Sequence, residues 1–269
     1  MANDARAAFR ELHRTGTFIM PNPWDIGSAR MLASLGFPAL ATTSSGHAAT
    51  LGLRDQQVSR DELLVHAAGL AAAVEVPLSV DSERCFADDP AGVAETVRLI
   101  GQTGASGCSI EDYDPAAKTI DDIGVATERV AAAAEAAHEQ GMLLTARAEA
   151  YFYGSRDLDG IIRRLIAYRG AGADVVYAPG LASLQDIARI VTEVGGPVNV
   201  LALPHGPSVP ELASVGVRRV STGGILSRAV HGTLVSAARE LLDVGTSTYA
   251  TGTIAKADIE TAFVDRSRG

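Results

Sequence analysis

The sequence is poor in cysteine: Cys85 and Cys108 are its only two. They cannot build a disulfide framework and lack the paired spacing of a zinc site, so both read as reduced thiols. No run of Lys or Arg occurs, and the formal net charge is -9, which removes the electrostatic footprint of a nucleic-acid or anionic-membrane binder. An anionic partner must be caught locally, by a metal ion, an arginine or backbone amides. Residues 1–16 mix Asp4, Arg6, Arg10, Glu11 and Arg14 with Phe9 and Leu12 in a helix-like pattern. That pattern matches neither a signal peptide nor a membrane span, and a cytoplasmic protein is expected. Also missing is a Gly-x-Gly-x-x-Gly turn after the first strand, where Pro21-Asn22-Pro23-Trp24-Asp25 stands instead. That absence counts against an open, doubly wound nucleotide-binding sheet.

What is present is a regular alternation. With 269 residues, 47% of them hydrophobic, the chain can bury one large core. Short β-type runs alternate with Ala/Leu-rich helical stretches, and parallel neighbours need such crossovers. Strands are expected at Thr17 to Met20, Ala39 to Thr43, Leu78 to Asp81, Gly107 to Glu111, Leu143 to Arg147, Asp174 to Tyr177, Val198 to Leu201 and Arg219 to Thr222. Ser59-Arg60-Asp61-Glu62 and Ser208-Val209-Pro210-Glu211 read as capping boxes, and Asp89-Pro90 as an N-cap followed by proline. Gly36, Gly104, Gly141 and Gly172 stand where helices should stop. Eight units of roughly 34 residues each predict a single (β/α)8 TIM-barrel domain over 1–269, with a short N-terminal helix at about 4–14.

Side chains two apart in a strand share a face. In Leu78-Ser79-Val80-Asp81-Ser82-Glu83 the polar set is Ser79, Asp81 and Glu83; in Gly107 to Glu111 it is Ser109 and Glu111; in Leu144 to Glu149 it is Thr145, Arg147 and Glu149. A barrel interior is ordinarily filled with branched apolar side chains, so charge at three strand ends needs a reason. A divalent cation would neutralise Asp81, Glu83 and Glu111, and hard oxygen ligands without His or Cys favour Mg2+, with Mn2+ as the alternative. The competing explanation is that these acids pair with Arg147 and with other hydrogen-bond partners.

Taken together, Asn22-Pro23-Trp24-Asp25 with Ser28-Ala29-Arg30, Thr42-Thr43-Ser44-Ser45-Gly46, Leu53-Arg54-Asp55, Asp81-Ser82-Glu83, Ile110-Glu111-Asp112 and Ala146-Arg147-Ala148-Glu149-Ala150 resemble the phosphoenolpyruvate mutase/isocitrate lyase superfamily across nearly the whole barrel. The resemblance implies that Asp81 binds Mg2+ directly, that Glu83 and Glu111 act mainly through metal-bound water, and that Asp55 is a further outer-sphere acid. It also implies that the Ser45-Gly46-His47 backbone cradles a substrate carboxylate and that Arg147 clamps another anionic oxygen. Trp24 and Asn199 join the expected substrate contacts, and the His47 side chain is a candidate proton carrier. The implied partner is a small anionic substrate, and the implied assembly a homodimer or homotetramer that exchanges or packs its eighth helices.

The chain departs from that family where specialisation lies. The loop after the fourth strand, Asp112-Tyr113-Asp114-Pro115-Ala116-Ala117-Lys118-Thr119-Ile120-Asp121, has neither cysteine nor histidine, whereas the isocitrate and methylisocitrate lyases supply a cysteine acid there. Phosphonate mutases carry Lys-Thr-Asn-Ser at that point, and Ile120 replaces the phosphoryl-contacting Asn. After Glu83 the usual Gly-rich segment is replaced by Arg84-Cys85-Phe86. Cys85 is not expected to act as a nucleophile, and Arg84 either touches substrate or pairs with Asp88 or Asp89. The leading expectation is a Mg-dependent lyase, decarboxylase or phosphonomutase working through an enolate. The alternatives are a catalytically degenerate barrel that only binds an anionic metabolite, and a phosphate-binding barrel of another family using the Gly223-Gly224 turn.

Overall fold

The computed structural model describes residues 2–264. Eight parallel strands form the barrel: β1 (Phe18–Met20), β2 (Leu40–Ala41), β3 (Leu78–Asp81), β4 (Gly107–Glu111), β7 (Leu143–Arg147), β8 (Val175–Tyr177), β9 (Val198–Leu201) and β10 (Arg219–Ser221). They are ordered β1-β10-β9-β8-β7-β4-β3-β2. The Ala41 amide donates to the Pro21 carbonyl at 3.1 Å, which brings the two end strands together and closes the cylinder. A short antiparallel hairpin, β5 (Tyr113–Asp114) with β6 (Thr119–Ile120), is inserted after β4.

The outer ring comprises α2 (Ile26–Ser34), α4 (Arg60–Ala73), α5 (Pro90–Gln102), α6 (Ile123–Glu139), α7 (Leu158–Gly170), α8 (Leu184–Val194), α9 (Val209–Ser214) and α10 (Ile225–Asp243). Both expected capping boxes are formed, on Ser59 and Ser208, and Asp89 caps α5 through the Gly92 amide. Gly36, Gly104, Gly141 and Gly172 all have positive φ, the left-handed conformation that ends a helix without a Cβ clash. The strand faces split as the period of two requires. Val80, Cys108, Ile110, Leu144 and Ala146 pack outward against Val93, Val97, Ile100, Val130 and Ala133 of the helices, while the opposite faces stay polar.

The N-terminal helix α1 (Ala2–Leu12) begins and ends about two residues earlier than expected. It ends early because His13 Nδ1 turns back to the Phe9 carbonyl and the chain leaves through left-handed Gly16. The helix seals the amino-terminal end of the barrel, where Phe9 and Leu12 meet Phe18, Met20, Ala39, Ala41 and Leu143. Arg6 holds it there by donating to the carbonyls of Gly101, Ala105 and Gln140, at the carboxyl ends of α5 and α6, where a cation meets unpaired carbonyls and the negative end of the helix dipole. Gly107 makes this seal possible, since a Cβ there would lie 2.8 Å from both the Leu143 carbonyl and the Phe9 ring.

The β5–β6 hairpin was not foreseen, nor was a seven-residue helix, α3 (Ser44–Thr50), capped by Thr43, that follows β2. At the other end α10 leaves the barrel with only Ser227 buried, presenting Val230, Leu234, Val235, Leu241 and Leu242 to solvent. The short helix α11 (Lys256–Ala262) follows it. Among the described residues no helix is long and apolar enough to cross a membrane.

Candidate active site

The carboxyl ends of the strands open into one pocket of about 190 Å³. Its acid wall comes from three neighbouring strands and the loop after α3: Asp55, Asp81, Glu111 and Glu149 line it, and Glu83 is buried next to them. Arg147 ties the wall together. Its Nε donates to Glu149 at 2.7 Å, Nη1 to Asp81 at 2.8 Å, and Nη2 lies 3.2 Å from Glu111. Its guanidinium also sits 5.5 Å over the Tyr177 ring. The pairing of acids with Arg147, kept open from the sequence, is therefore real, but one cation faces five carboxyl groups.

The imbalance appears in their proton affinities. Burial, then the charges of Asp81 and Asp55, pushes the Glu83 carboxyl up to about 8. Burial also raises Glu111 and Glu149 against the opposing pull of Arg147. Desolvation by the pocket walls and the Asp81 charge raise Asp55. Gln56, which sequence reasoning missed, donates its side-chain amide to Glu111 at 3.0 Å. Asp81 is held from the other side by the Ser44 amide at 3.0 Å and the Ser109 hydroxyl at 3.3 Å. Thr42 fixes its backbone by accepting the Asp81 amide at 2.8 Å. Behind the wall, Asp112 accepts from the Glu149 amide and the Tyr168 hydroxyl, setting the direction of Glu149.

The donor chemistry fits a hard divalent cation. The convergent groups are carboxylates, with no His or Cys among the pocket-lining residues, and an excess of buried negative charge is what a doubly positive ion neutralises. No three His, Cys, Asp or Glu side chains among the described residues form a ready cluster of direct ligands.

Three expected contacts are corrected. His47 does not reach the pocket: its ring stacks on His66 of α4 at 3.6 Å, and both of its nitrogens are buried without a hydrogen bond. Burial holds both imidazoles below their usual range, and His47 is not among the pocket-lining residues. Trp24 is also absent from the pocket lining and instead backs Gly46. A Cβ on Gly46 would lie 2.6 Å from Thr43 and 2.9 Å from Trp24, so this glycine answers to packing rather than to anion approach. Ser45 and Asn199 do line the pocket. Arg84 pairs with Asp88 and Asp121, and Cys85 is fully buried with its thiol pushed up to about 12.

Sequence reasoning also missed Tyr177, Arg219 and Arg228 as pocket-lining residues, and favoured packing over a place at the mouth for Tyr153, which lines the pocket with them. Tyr153 overhangs the mouth, stacked on Tyr113 of the hairpin at 3.7 Å. Gly224 lets the loop after β10 close on α3, since a Cβ there would sit 2.4 Å from the Ser45 hydroxyl. Asn22 ties the first and last units together: it donates to the Thr42 carbonyl and accepts from the Thr222 and Gly223 amides.

Fold and site together define a (β/α)8 barrel with its reactive groups at the carboxyl ends of the strands, where such barrels carry chemistry. The phosphoenolpyruvate phosphomutase family profile matches residues 9–242, and the chain belongs to that family. A solved structure from Burkholderia cenocepacia J2315, provisionally termed a lyase/mutase, is 47% identical and superposes with a TM-score of 0.93 over 96% of each chain. An uncharacterised protein of Mycobacterium tuberculosis is 31% identical over 88% of this chain and 89% of its own length. An oxaloacetate decarboxylase of Pseudomonas fluorescens is 28% identical over 81% of this chain and 78% of its own.

Proposed function

We propose that this protein is a divalent-metal-dependent enzyme that breaks a carbon–carbon bond beside the 2-oxo group of a small dicarboxylate, in the manner of a decarboxylase or lyase. The observation that carries the reading is the wall of five acids around one guanidinium. Bound Mg2+ or Mn2+ would supply the fixed positive charge that a developing oxyanion needs. Asp81 and Glu111 would hold that ion. Arg147, pinned by Asp81, Glu111 and Glu149, keeps a permanent charge in a fixed orientation beside the reacting group. Ser45 and the exposed Arg228 also line the pocket and would orient a carboxylate. Tyr153 and Phe152 cover the mouth and reduce access of water.

Decarboxylation is favoured because it needs neither the cysteine acid of the lyases nor the phosphoryl contact of the mutases, and no residue of the 112–121 segment that would carry those groups lines the pocket. That segment is a closed hairpin whose turn is capped by Asp114, so neither Lys118 nor Ile120 faces substrate. The relationship to an oxaloacetate decarboxylase supports the same choice. The same hairpin also favours a second reading, a barrel that only binds an anionic metabolite. Assay of oxaloacetate, alkylmalates and phosphonopyruvate with Mg2+ separates the two. Turnover abolished by Asp81→Ala and by EDTA is expected; turnover that survives EDTA ends the metal reading. Thermal stabilisation by one of these compounds without turnover favours the binder.

The assembly belongs to this proposal too. We infer a homo-oligomer, because the apolar side chains exposed on α10 form a face that one barrel does not cover.

A further inference from the structure

Arg219 is the first residue of β10, and its side chain is 3% exposed inside the barrel. Its Nε donates to Asn199 Oδ1 at 2.9 Å, its Nη2 to Thr145 Oγ at 2.9 Å, and its Nη1 faces His13 Nε2 at 3.4 Å. None of these partners carries negative charge. His13 accepts with Nε2 because its Nδ1–H goes to the Phe9 carbonyl, and burial with the charge of Arg219 holds it down to about 3, so it stays neutral. Tyr177, which interacts with both Arg147 and Arg219, is pushed up by burial and stays a phenol. Desolvation lowers Arg219 to about 9, which reports a buried guanidinium without a counter-ion. Buried charges are ordinarily paired.

The same pocket that holds the acid wall reaches Arg219. Between them the barrel interior presents Ser79, Thr145, Asn199 and Ser221, small hydrogen-bonding groups where a barrel normally packs branched apolar ones. Below Arg219 the cylinder is shut by α1, whose Phe9 and His13 rings meet edge to face at 4.6 Å, with His13 against Phe18 at 5.0 Å. The shaft is therefore polar, blind and cationic at its end. Asp81, Glu111 and Glu149 at the rim are already engaged by Arg147, and no carboxylate acts on Arg219, whose one charge partner is Tyr177.

We propose that Arg219, with Asn199, Thr145 and Ser221, forms a carboxylate-binding floor that receives the second, distal carboxylate of a dicarboxylate substrate. The inference rests on the substrate class given above, and it sets a specificity rule: a compound with a terminal carboxylate of the right reach is preferred over one that ends in a methyl group. Arg219 is a specificity-determining group and takes no part in bond breaking.

The test is calorimetric titration, with Mg2+ present, of the dicarboxylates malonate, succinate and glutarate, each against the monocarboxylate of the same carbon count. The wild-type protein should prefer one of these dicarboxylates by on the order of 10- to 100-fold, the range of a charge-assisted pair out of water. Arg219→Met should cut that ratio to within about threefold. Arg219→Gln puts an amide near the Nε position and can keep the hydrogen bond to Asn199 without the charge, so it keeps the test valid if the Met variant does not fold; the same loss is expected. A ratio that survives both changes overturns the proposal, as does a wild type without preference. Chloride-dependent stabilisation of the wild type that Arg219→Met removes also overturns it, since a resident inorganic anion would then fill the floor. Repeating the titrations in EDTA separates the two ideas: a dicarboxylate preference that persists there and depends on Arg219 leaves this proposal standing even if metal dependence fails.

Discussion

Glu83 offers a quantitative test of the acid wall. Its carboxyl is buried and its proton affinity is raised from 4.5 to about 8. At 1.36 kcal/mol for each tenfold change in affinity, the difference between folded and unfolded protein is roughly 5 kcal/mol. The sign follows from which state holds the proton. Between pH 4.5 and about 8 the folded protein keeps a proton that the unfolded chain has released, so stability falls as pH rises through that window and levels off above it. Glu83→Gln resembles the protonated acid and cannot ionise. Urea unfolding in EDTA at about pH 5 and about pH 9 should show the two proteins similar at the lower pH. At the higher pH the variant should be more stable by several kcal/mol, a large share of the ~5 to 15 kcal/mol typical of a domain. Adding Mg2+ should recover much of the wild-type loss at the higher pH and change the variant less. Parallel pH profiles, within about 0.5 kcal/mol of each other, would refute the claim that Glu83 carries uncompensated charge in the fold.

Three further outcomes are expected. Cys85 and Cys108 are fully buried with thiols raised by desolvation, so a disulfide reagent at mildly alkaline pH should titrate neither in native protein and both in denaturant; fast reaction of a native thiol contradicts the packing. Gly224→Ala places a Cβ against the Ser45 hydroxyl and should weaken anion binding by about tenfold or more, with relief in the double variant that also carries Ser45→Gly; additive losses in the cycle would show that the contact is not the cause. Leu234→Asp with Leu242→Asp on α10 should shift sedimentation from oligomer to monomer with unchanged far-ultraviolet dichroism, and an unaltered mass would remove the face from the interface.

The barrel was legible because each strand carries its own alternation and each helix its own caps. Val80 against Asp81, or Ile110 against Glu111, needs no knowledge of distant residues to show which side meets helices. The site was legible where the same rule applied, and Asp81, Glu111, Arg147 and Glu149 do meet at one pocket. Arg219 and Ser221 show that alternation on β10 as well, a signal present in the sequence and not used there. What local pattern does not encode is the partner across the fold. The short helix over 44–50 was not read from the sequence, and the stacking of His47 on His66 of α4 joins residues that no local pattern links. Arg228 became visible only once α10 began beside the pocket.

The segment after β3 shows how the barrel sets its acids at a cost. Glu83, Cys85 and Phe86 all have positive φ, at 49°, 59° and 54°, where the family resemblance leads one to expect glycines. Each non-glycine residue in that region costs about 1 to 2 kcal/mol, so the turn persists only because its surroundings impose it. Arg129, 2% exposed, donates to the carbonyls of Arg84 and Ala87 and to Asp121. The Ser82 hydroxyl donates to the Ser109 carbonyl, and the Glu83 carbonyl accepts the Glu111 amide at 3.0 Å. These anchors bind the turn to β4 and to α6, so the carboxyl groups of Glu83 and Glu111 are held in one unit rather than on independent loops. Cutting the anchor should therefore act on the site from a distance. Arg129→Met keeps the bulk but leaves two carbonyls without their donor and Asp121 with Arg84 alone, and should lower metal affinity measured by titration as well as stability. If metal affinity stays at the wild-type level while stability falls, the strained turn is a packing feature and does not place the acids.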